Sequence, residues 1–335
     1  MNMDIPLVWV EADRPPAKYF LNSLSIHDEL FPKQPKYVIT NEKFHSNYKN
    51  EKVKLIGLES LKKNILTLNF EAINKKWNNK TKQLTYWSNT MKRFFILYDF
   101  AKSLQLEKLL HLEGDCILLN NSTLQPYFLD VNQNIYFAKM ANGLGNGSIF
   151  LVNGNSHLKK FLSFSVSQWE EYDVNDIEIL GRYALENKHR NYLPSGDLIR
   201  HGDTIFDACH IGQFFLGSDA RNSRLPTSRR GYVDPRLGAF KPIHWKLDTK
   251  STESLIRIYD YKLKQQYILG SIHIHSKRIP SNSRKLFKRI QKDIDSHQNY
   301  FWRLGVLDWG VIYERFRDSL YRRFRIGSNA DFRVR

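Results

Sequence analysis

The chain has 335 residues, enough for one large domain or two intimate ones, and its 41% hydrophobic and 25% charged residues exclude a fibrous, collagen-like or low-complexity protein. Lys and Arg number 51 against 34 Asp and Glu, a net charge of +17, which favours a polyanionic partner: nucleic acid, an anionic membrane face or a phosphate-bearing small molecule. Two cysteines, Cys116 and Cys209, exclude a disulfide framework and lack metal-ligand spacing, so a reducing, cytoplasmic setting is expected.

The apolar run Ile5 to Val10, ending in Glu11-Ala12-Asp13, predicts a buried parallel strand reaching its loop. Pro15 and Pro16 suit a first helical turn, and Phe20, Leu24 and Phe31 recur at helical spacing until Pro32 and Pro35 stop the pattern. Tyr37–Thr40 and Val53–Leu58 are the next apolar runs, and strand, helix, strand at these intervals is a βαβ signature. Asn64 to Leu84, rich in Lys and Asn, reads as exposed helix or loop. A helix is predicted from Ser88 to Leu104, leading into the run Lys108 to Leu119, which contains Glu113-Gly114-Asp115. Further strands are predicted at Ile135–Met140 and Ser148–Val152, separated by a Gly-rich turn, Asn142 to Gly147. Between Val152 and Asp207 no element is assigned. A helix follows Asp207 through Ile211 and Leu216, and residues 217–238, with Arg221, Arg224, Arg229, Arg230 and Arg236, read as a loop able to meet an anionic ligand. A final strand is expected at Tyr267–Lys277.

Two motifs carry chemistry. In an extended segment Glu113 and Asp115 share a face while Gly114 lets backbone approach closely, and two hard oxygen donors suit Mg²⁺ or Mn²⁺ with positions left for phosphates. A plain turn with two exposed acids has the same sequence. In Ile268 to Lys277, alternation puts His273, His275 and Lys277 on one polar face, where imidazole can accept Mn²⁺ and the ammonium can meet a diphosphate. An edge strand with a solvated face is the alternative. Together, about 160 residues apart, the motifs describe a metal and diphosphate clamp.

With the βαβ opening, Arg93 on the helix before the acids, the Gly/Asn-rich turn and the acid-headed helix at Asp207, residues 5 to 280 resemble the nucleotide-sugar-dependent glycosyltransferases of the GT-A fold, in the style of bacterial enzymes building capsule or lipopolysaccharide. The resemblance implies a Rossmann-like α/β catalytic domain over residues 1–280, with a mixed, mostly parallel sheet flanked by helices, and a basic helical extension over 281–335. It implies Asp115 and His275 as ligands of Mn²⁺ or Mg²⁺, Glu113 as a further ligand or ribose-side acid, and Lys277 on the diphosphate. Val10, Glu11, Thr40 and Asn41 would meet the nucleoside, since ligands of open α/β sheets lie beyond the carboxyl ends of the strands. Arg93, Gly114 and His273 would contact substrate, and Gly147 and Ser148 the donor sugar. Asp207 would be the general base of an inverting transfer, with Asp203 as substitute, though Asp207 also suits an N-cap; His210 and Gln213 would face substrate or core.

The stretch 281–335 carries thirteen Lys/Arg against six Asp/Glu, interleaved with aromatics. It suits an anionic bilayer where a lipid-linked acceptor waits, placing the protein peripherally at the inner membrane face; a helix packed on the catalytic domain suits it as well. A basic module for nucleic acid or anionic lipid is the competing class. No zinc-finger or ribonucleoprotein motif supports nucleic acid, and a phosphatase or nuclease would want a denser carboxylate cluster.

Overall fold

The structure, a computed structural model, describes residues 5–77, 82–140, 143–171, 174–195, 204–216, 245–247, 256–260 and 264–292. The chain opens with β1 (Leu7–Glu11), α1 (Lys18–Leu30), β2 (Lys36–Thr40), β3 (Lys54–Gly57), α2 (Ile65–Trp77) and α3 (Lys82–Ser103). It continues with β4 (Lys108–Leu112), β5 (Cys116–Leu118), α4 (Gln125–Leu129), β6 (Asn134–Lys139), β7 (Gly145–Asn153), α5 (Asn155–Glu171), α6 (Asp176–Glu186) and β8 (Tyr192–Leu193). After β9 (Thr204–Phe206) and α7 (His210–Leu216) come β10 (Trp245–Leu247), β11 (Arg257–Asp260) and β12 (Gln265–His273), followed by helix over 283–292.

The main sheet has the order β3-β2-β1-β4-β7-β6-β8. Only β7 runs against the others, pairing antiparallel with β4 and β6, while the remaining pairs are parallel. This is the mixed, mostly parallel α/β architecture that the resemblance implies. Its strands read as continuous apolar runs because both faces are covered. Val8, Leu109 and Phe150 enter one core with α2, α3, α5 and α6; their neighbours Trp9, Leu110 and Leu151 enter the other beneath α1.

A second sheet, β10-β11-β12-β5 with β9 beside β12, bounds a third core with Ile26 of α1 and Ile211 of α7. Leu286 and Ile290 of the 283–292 helix are buried in the same core, so the start of the basic extension packs on the domain. Among the described residues no helix is long and apolar enough to cross a membrane.

Three local expectations change. The Lys/Asn-rich stretch after Asn64 forms α2, and its Phe70 is buried and stacks on Phe95 with ring centroids 4.3 Å apart. Gly145 and Gly147 lie inside β7 rather than in a turn. A Cβ at 145 would come within 2.6 Å of the Phe137 ring and one at 147 within 2.7 Å of Phe94, so these glycines serve close packing. The last strand ends at His273, and Ile274 to Lys277 form a turn closed by Lys277 N–H donating to the Ile274 carbonyl at 2.8 Å.

One buried histidine ties the two sheets and makes stability depend on pH. His27 of α1 donates from Nδ1 to the Ser23 carbonyl at 2.7 Å, and its Nε2 accepts the Leu118 N–H of β5 at 3.1 Å. Only the neutral ring can do both, and burial pushes its pKa from 6.5 down to about 4. The unfolded chain therefore binds the proton first on acidification, so this contribution is present above pH 6.5 and is lost as pH falls from 6.5 toward 4. Urea unfolding should show about 2 kcal/mol lost from this group between pH 7 and pH 5, a loss smaller by that amount in His27→Gln. A loss in His27→Gln as large as in the wild type would contradict it.

Candidate metal centre

The site lies beyond the carboxyl ends of β1, β2 and β4, where an open α/β sheet leaves a crevice for ligand. β4 stops at Leu112 and the chain turns back into β5 through Glu113, Gly114 and Asp115. Glu113 N–H donates to the Ser148 carbonyl of β7 at 2.8 Å and Cys116 N–H to the Glu113 carbonyl at 2.9 Å. Gly114 is needed at this corner: a Cβ there would sit 2.9 Å from the Phe20 ring and 3.1 Å from a Glu11 carboxylate oxygen.

Register brings the second motif in. Cys116, the residue after Asp115, pairs with His273 at the end of β12, and Ile274 N–H donates to the Asp115 carbonyl at 2.7 Å. His273 Nε2 lies 3.3 Å from Asp115 Oδ1 and 3.6 Å from Glu113 Oε2. Its Nδ1 faces the Ala208 carbonyl at 3.0 Å, which holds that nitrogen as the donor and aims Nε2 at the acids. Lys277 Nζ lies 3.3 Å from the other oxygen, Asp115 Oδ2.

Glu113, Asp115 and His273 each offer one ligand atom, all within 4.8 Å of one another. Two carboxylates and one oriented imidazole fit a divalent cation such as Mn²⁺ or Mg²⁺. The electrostatics agree. Burial alone would raise the Asp115 carboxyl, but His273, and then Lys277 and His275, hold it well below the usual carboxylate range. Burial would also depress His273, yet Asp115 and then Glu113 push it up to about 9, so without a metal a proton on this ring balances the acids.

Three glycosyltransferase structures are similar to this chain. PaToxG glycosyltransferase matches at 11% identity and TM-score 0.40, over 54% of this chain and 69% of that one. Apo GlyE of Streptococcus pneumoniae TIGR4 matches at 16% identity and TM-score 0.35, over 56% of this chain and 44% of GlyE. The galactosyltransferase LgtC, solved with donor and acceptor sugar analogs, matches at 15% and 0.31, over 53% and 70%. No protein-family model matches the sequence, and no curated protein does. Likenesses this distant decide no activity, which has to be read from the site.

The trio that could hold a metal contains a different histidine from the one expected. His273, taken from sequence as a substrate contact, completes the ligand trio; His275, taken as the ligand, lies edge-on against His273 with centroids 5.6 Å apart and outside that trio. The strand ends at His273, and the turn from Ile274 leaves His275 beside the site, where it still acts on Asp115.

Arg93 does not stand open for sugar or phosphate. Its guanidinium bridges Glu113 and Asp176, the latter at 2.9 Å, so it fixes the Glu113 carboxylate. Gly147 makes room, since a Cβ there would sit 2.9 Å from Arg93 Nη2. Asp176 is a site residue the sequence analysis misses. It opens α6 just after the N-cap Asn175, whose capping box with Glu178 is legible as Asn-x-x-Glu.

Asp207 is also redirected. Its Oδ1 accepts the N–H groups of Cys209 and Ile211 at 2.9 and 3.0 Å, and its Oδ2 those of Gly212 and His273 at 2.8 and 3.1 Å. Four donors occupy a carboxylate buried to 1% exposure, leaving no lone pair for an acceptor hydroxyl. Asp207 is the cap of α7 and the clamp that holds the end of β12, so the sequence's second reading of it prevails. Gly212 rests on the same backbone, where a Cβ would overlap the His273 carbonyl, and Gln213 is buried.

The remaining expected contacts shape the rim. Val10 packs against the core. Thr40 Oγ1 donates to the Glu11 carbonyl at 2.8 Å; Asn41 accepts Asp13 N–H at 2.7 Å and donates to Glu59 at 2.8 Å. Glu11 is paired with Arg14 at 3.1 Å, and Ser148 is buried. Thr40 and Asn41 thus brace the strand ends. Asp203, the side chain of His210, the arginines of 217–238 and residues 293–335 lie outside the described residues.

Proposed function

We propose that the chain is a metal-dependent glycosyltransferase that moves a sugar from a nucleotide-diphosphate sugar to a hydroxyl of a glycan or lipid-linked acceptor, in the synthesis of cell-surface polysaccharide. The observation that carries this reading is the convergence of Glu113, Asp115, His273 and Lys277 beyond the ends of the parallel strands. Glu113, Asp115 and His273 would hold Mn²⁺ or Mg²⁺, and a site with so few protein ligands keeps positions for phosphate oxygens. The bound ion would supply Lewis-acid stabilisation of the departing nucleoside diphosphate.

The chain's own residues set up that step. Arg93, anchored by Asp176, holds Glu113 toward the centre, and Ala208 holds the His273 ring. Lys277 brings an ammonium to the charge that develops on the leaving group. Strand ends at Glu11 and Asn41 border the space for the nucleoside. With Asp207 occupied as a cap, the expectation of inversion loses the residue it rested on. The basic, aromatic sequence of 281–335 supports a peripheral position at the cytoplasmic membrane face, close to a lipid-linked acceptor.

Incubation with a panel of nucleotide sugars and Mn²⁺, reading release of nucleoside diphosphate, tests the proposal. One donor should be consumed, and chelation should stop it. A folded protein that consumes none, and instead binds DNA, RNA or anionic vesicles with steep salt dependence, would be the basic binding module.

A further inference from the structure

α2 turns an apolar line away from the protein. Its inward residues Thr67, Phe70, Ile73 and Asn74 are buried. Thr67 and Phe70 meet α3 through Asp99 and Phe95, and Asn74 accepts the Trp169 indole N–H of α5 at 2.8 Å. Helical spacing puts Ile65, Leu68, Asn69, Ala72, Lys75 and Lys76 on the opposite side, and all six are exposed, Ile65 to 66% and Leu68 to 48%. A single exposed leucine needs no partner, but Ile65 and Leu68 are three apart on one stripe that Ala72 continues.

Lysines frame this line. Lys62 is exposed just before the helix, and Lys75 and Lys76 occupy its last turn. The one acid of α2, Glu71, is taken up by Lys63 at 2.7 Å, and residues 61–82 hold six lysines against that single acid. Apolar side chains bordered by ammonium groups, on a helix lying along the surface, match an anionic bilayer: the aliphatic groups enter the headgroup boundary and the lysines meet lipid phosphates. The net charge of +17 draws the whole chain to such a surface. The face is also joined rigidly to the metal centre. Asp99 of α3 accepts the Asn64 N–H at 3.0 Å and the Thr67 hydroxyl at 2.9 Å, and the same helix carries Arg93, which holds Glu113.

We infer that the outward face of α2 is a docking surface for an anionic bilayer, which sets the metal centre in a fixed relation to the membrane that holds a lipid-linked acceptor. The inference rests on the peripheral position proposed above, and it gives that position a contact outside residues 281–335.

Co-sedimentation of the full chain with vesicles tests it, using phosphatidylcholine alone and phosphatidylcholine with an equal amount of phosphatidylglycerol. The wild type should bind the anionic vesicles and leave the neutral ones. The double variant Ile65→Ser/Leu68→Ser should bind about tenfold more weakly, as loss of apolar burial requires. The triple variant Lys62→Gln/Lys75→Gln/Lys76→Gln should bind about 100-fold more weakly. These side chains are exposed, so the melting temperature and the consumption of nucleotide sugar in solution should not change. Because Cys116 and Cys209 are buried, Leu68→Cys accepts an environment-sensitive dye selectively, and its emission should shift to the blue on anionic vesicles. Anionic binding that the double variant keeps, with no shift of the dye, would assign the contact to 281–335 and overturn the inference while the peripheral position stands. A wild type that ignores both vesicles overturns both. A double variant that changes only the oligomeric state would make the face a seat for a second copy and overturn the inference as well.

Discussion

Asp115→Ala is expected to lower transfer by about 10³-fold or more, since Lewis-acid stabilisation of a leaving group is worth several kcal/mol and each 1.4 kcal/mol is about tenfold in rate. Asp115 is the common partner of the site: both His273 and Lys277 approach its carboxylate at 3.3 Å. Its removal takes away a ligand and the acid that His273 and Lys277 both face. Glu113, held by Arg93, cannot replace it, because Glu113 is already one of the three groups of the site. Product formation by wild type and variant at saturating Mn²⁺ and donor is the readout. A variant retaining more than a few per cent of the wild-type rate would place the metal, or the chemistry, elsewhere.

The second large effect concerns stability. Asp207→Ala would leave four buried N–H groups without their acceptor, and each such loss costs about 1–3 kcal/mol. A penalty of at least about 4 kcal/mol takes most of the margin of an ordinary domain. The damage is centred on the α7 cap and the His273 backbone, so metal binding should go with it. Asp207→Asn keeps one accepting oxygen and turns an NH₂ toward two donors, so it should be destabilised as well. Denaturant unfolding of both variants decides between cap and base: a general base would lose activity while the unfolding midpoint stayed put.

Much of this was legible in the amino-acid sequence, for identifiable reasons. Parallel strands covered on both faces are written as apolar runs with polar ends, which is why β1, β2 and the approach to Glu113 could be placed and why the site could be put beyond those ends. Asp115 and Lys277 stand out because their neighbours in sequence are also their neighbours in space. The choice between His273 and His275 was not legible. It depends on where β12 ends, and that is set by the pairing of His273 with Cys116, a contact between segments more than 150 residues apart. Asp176 was hidden for the same reason: its capping box is local, but its ion pair with Arg93 spans 83 positions. Asp207 had a readable cap position, and only its fourth donor, the distant His273 N–H, excludes the other role. Gly145 and Gly147 misled because glycine in sequence signals a turn, whereas here the missing Cβ admits Phe137, Phe94 and Arg93.

The central claim is a divalent cation and a diphosphate sharing Glu113, Asp115, His273 and Lys277. Thermal unfolding of the wild type and of Asp115→Ala, with and without Mn²⁺, against a panel of nucleoside diphosphates, tests it most directly, because a ligand that binds only the folded state raises the melting temperature by mass action. A rise with one nucleoside diphosphate that requires Mn²⁺ and disappears in Asp115→Ala is the predicted result. No rise with any pair in a folded wild type, or the same rise in Asp115→Ala, would contradict it.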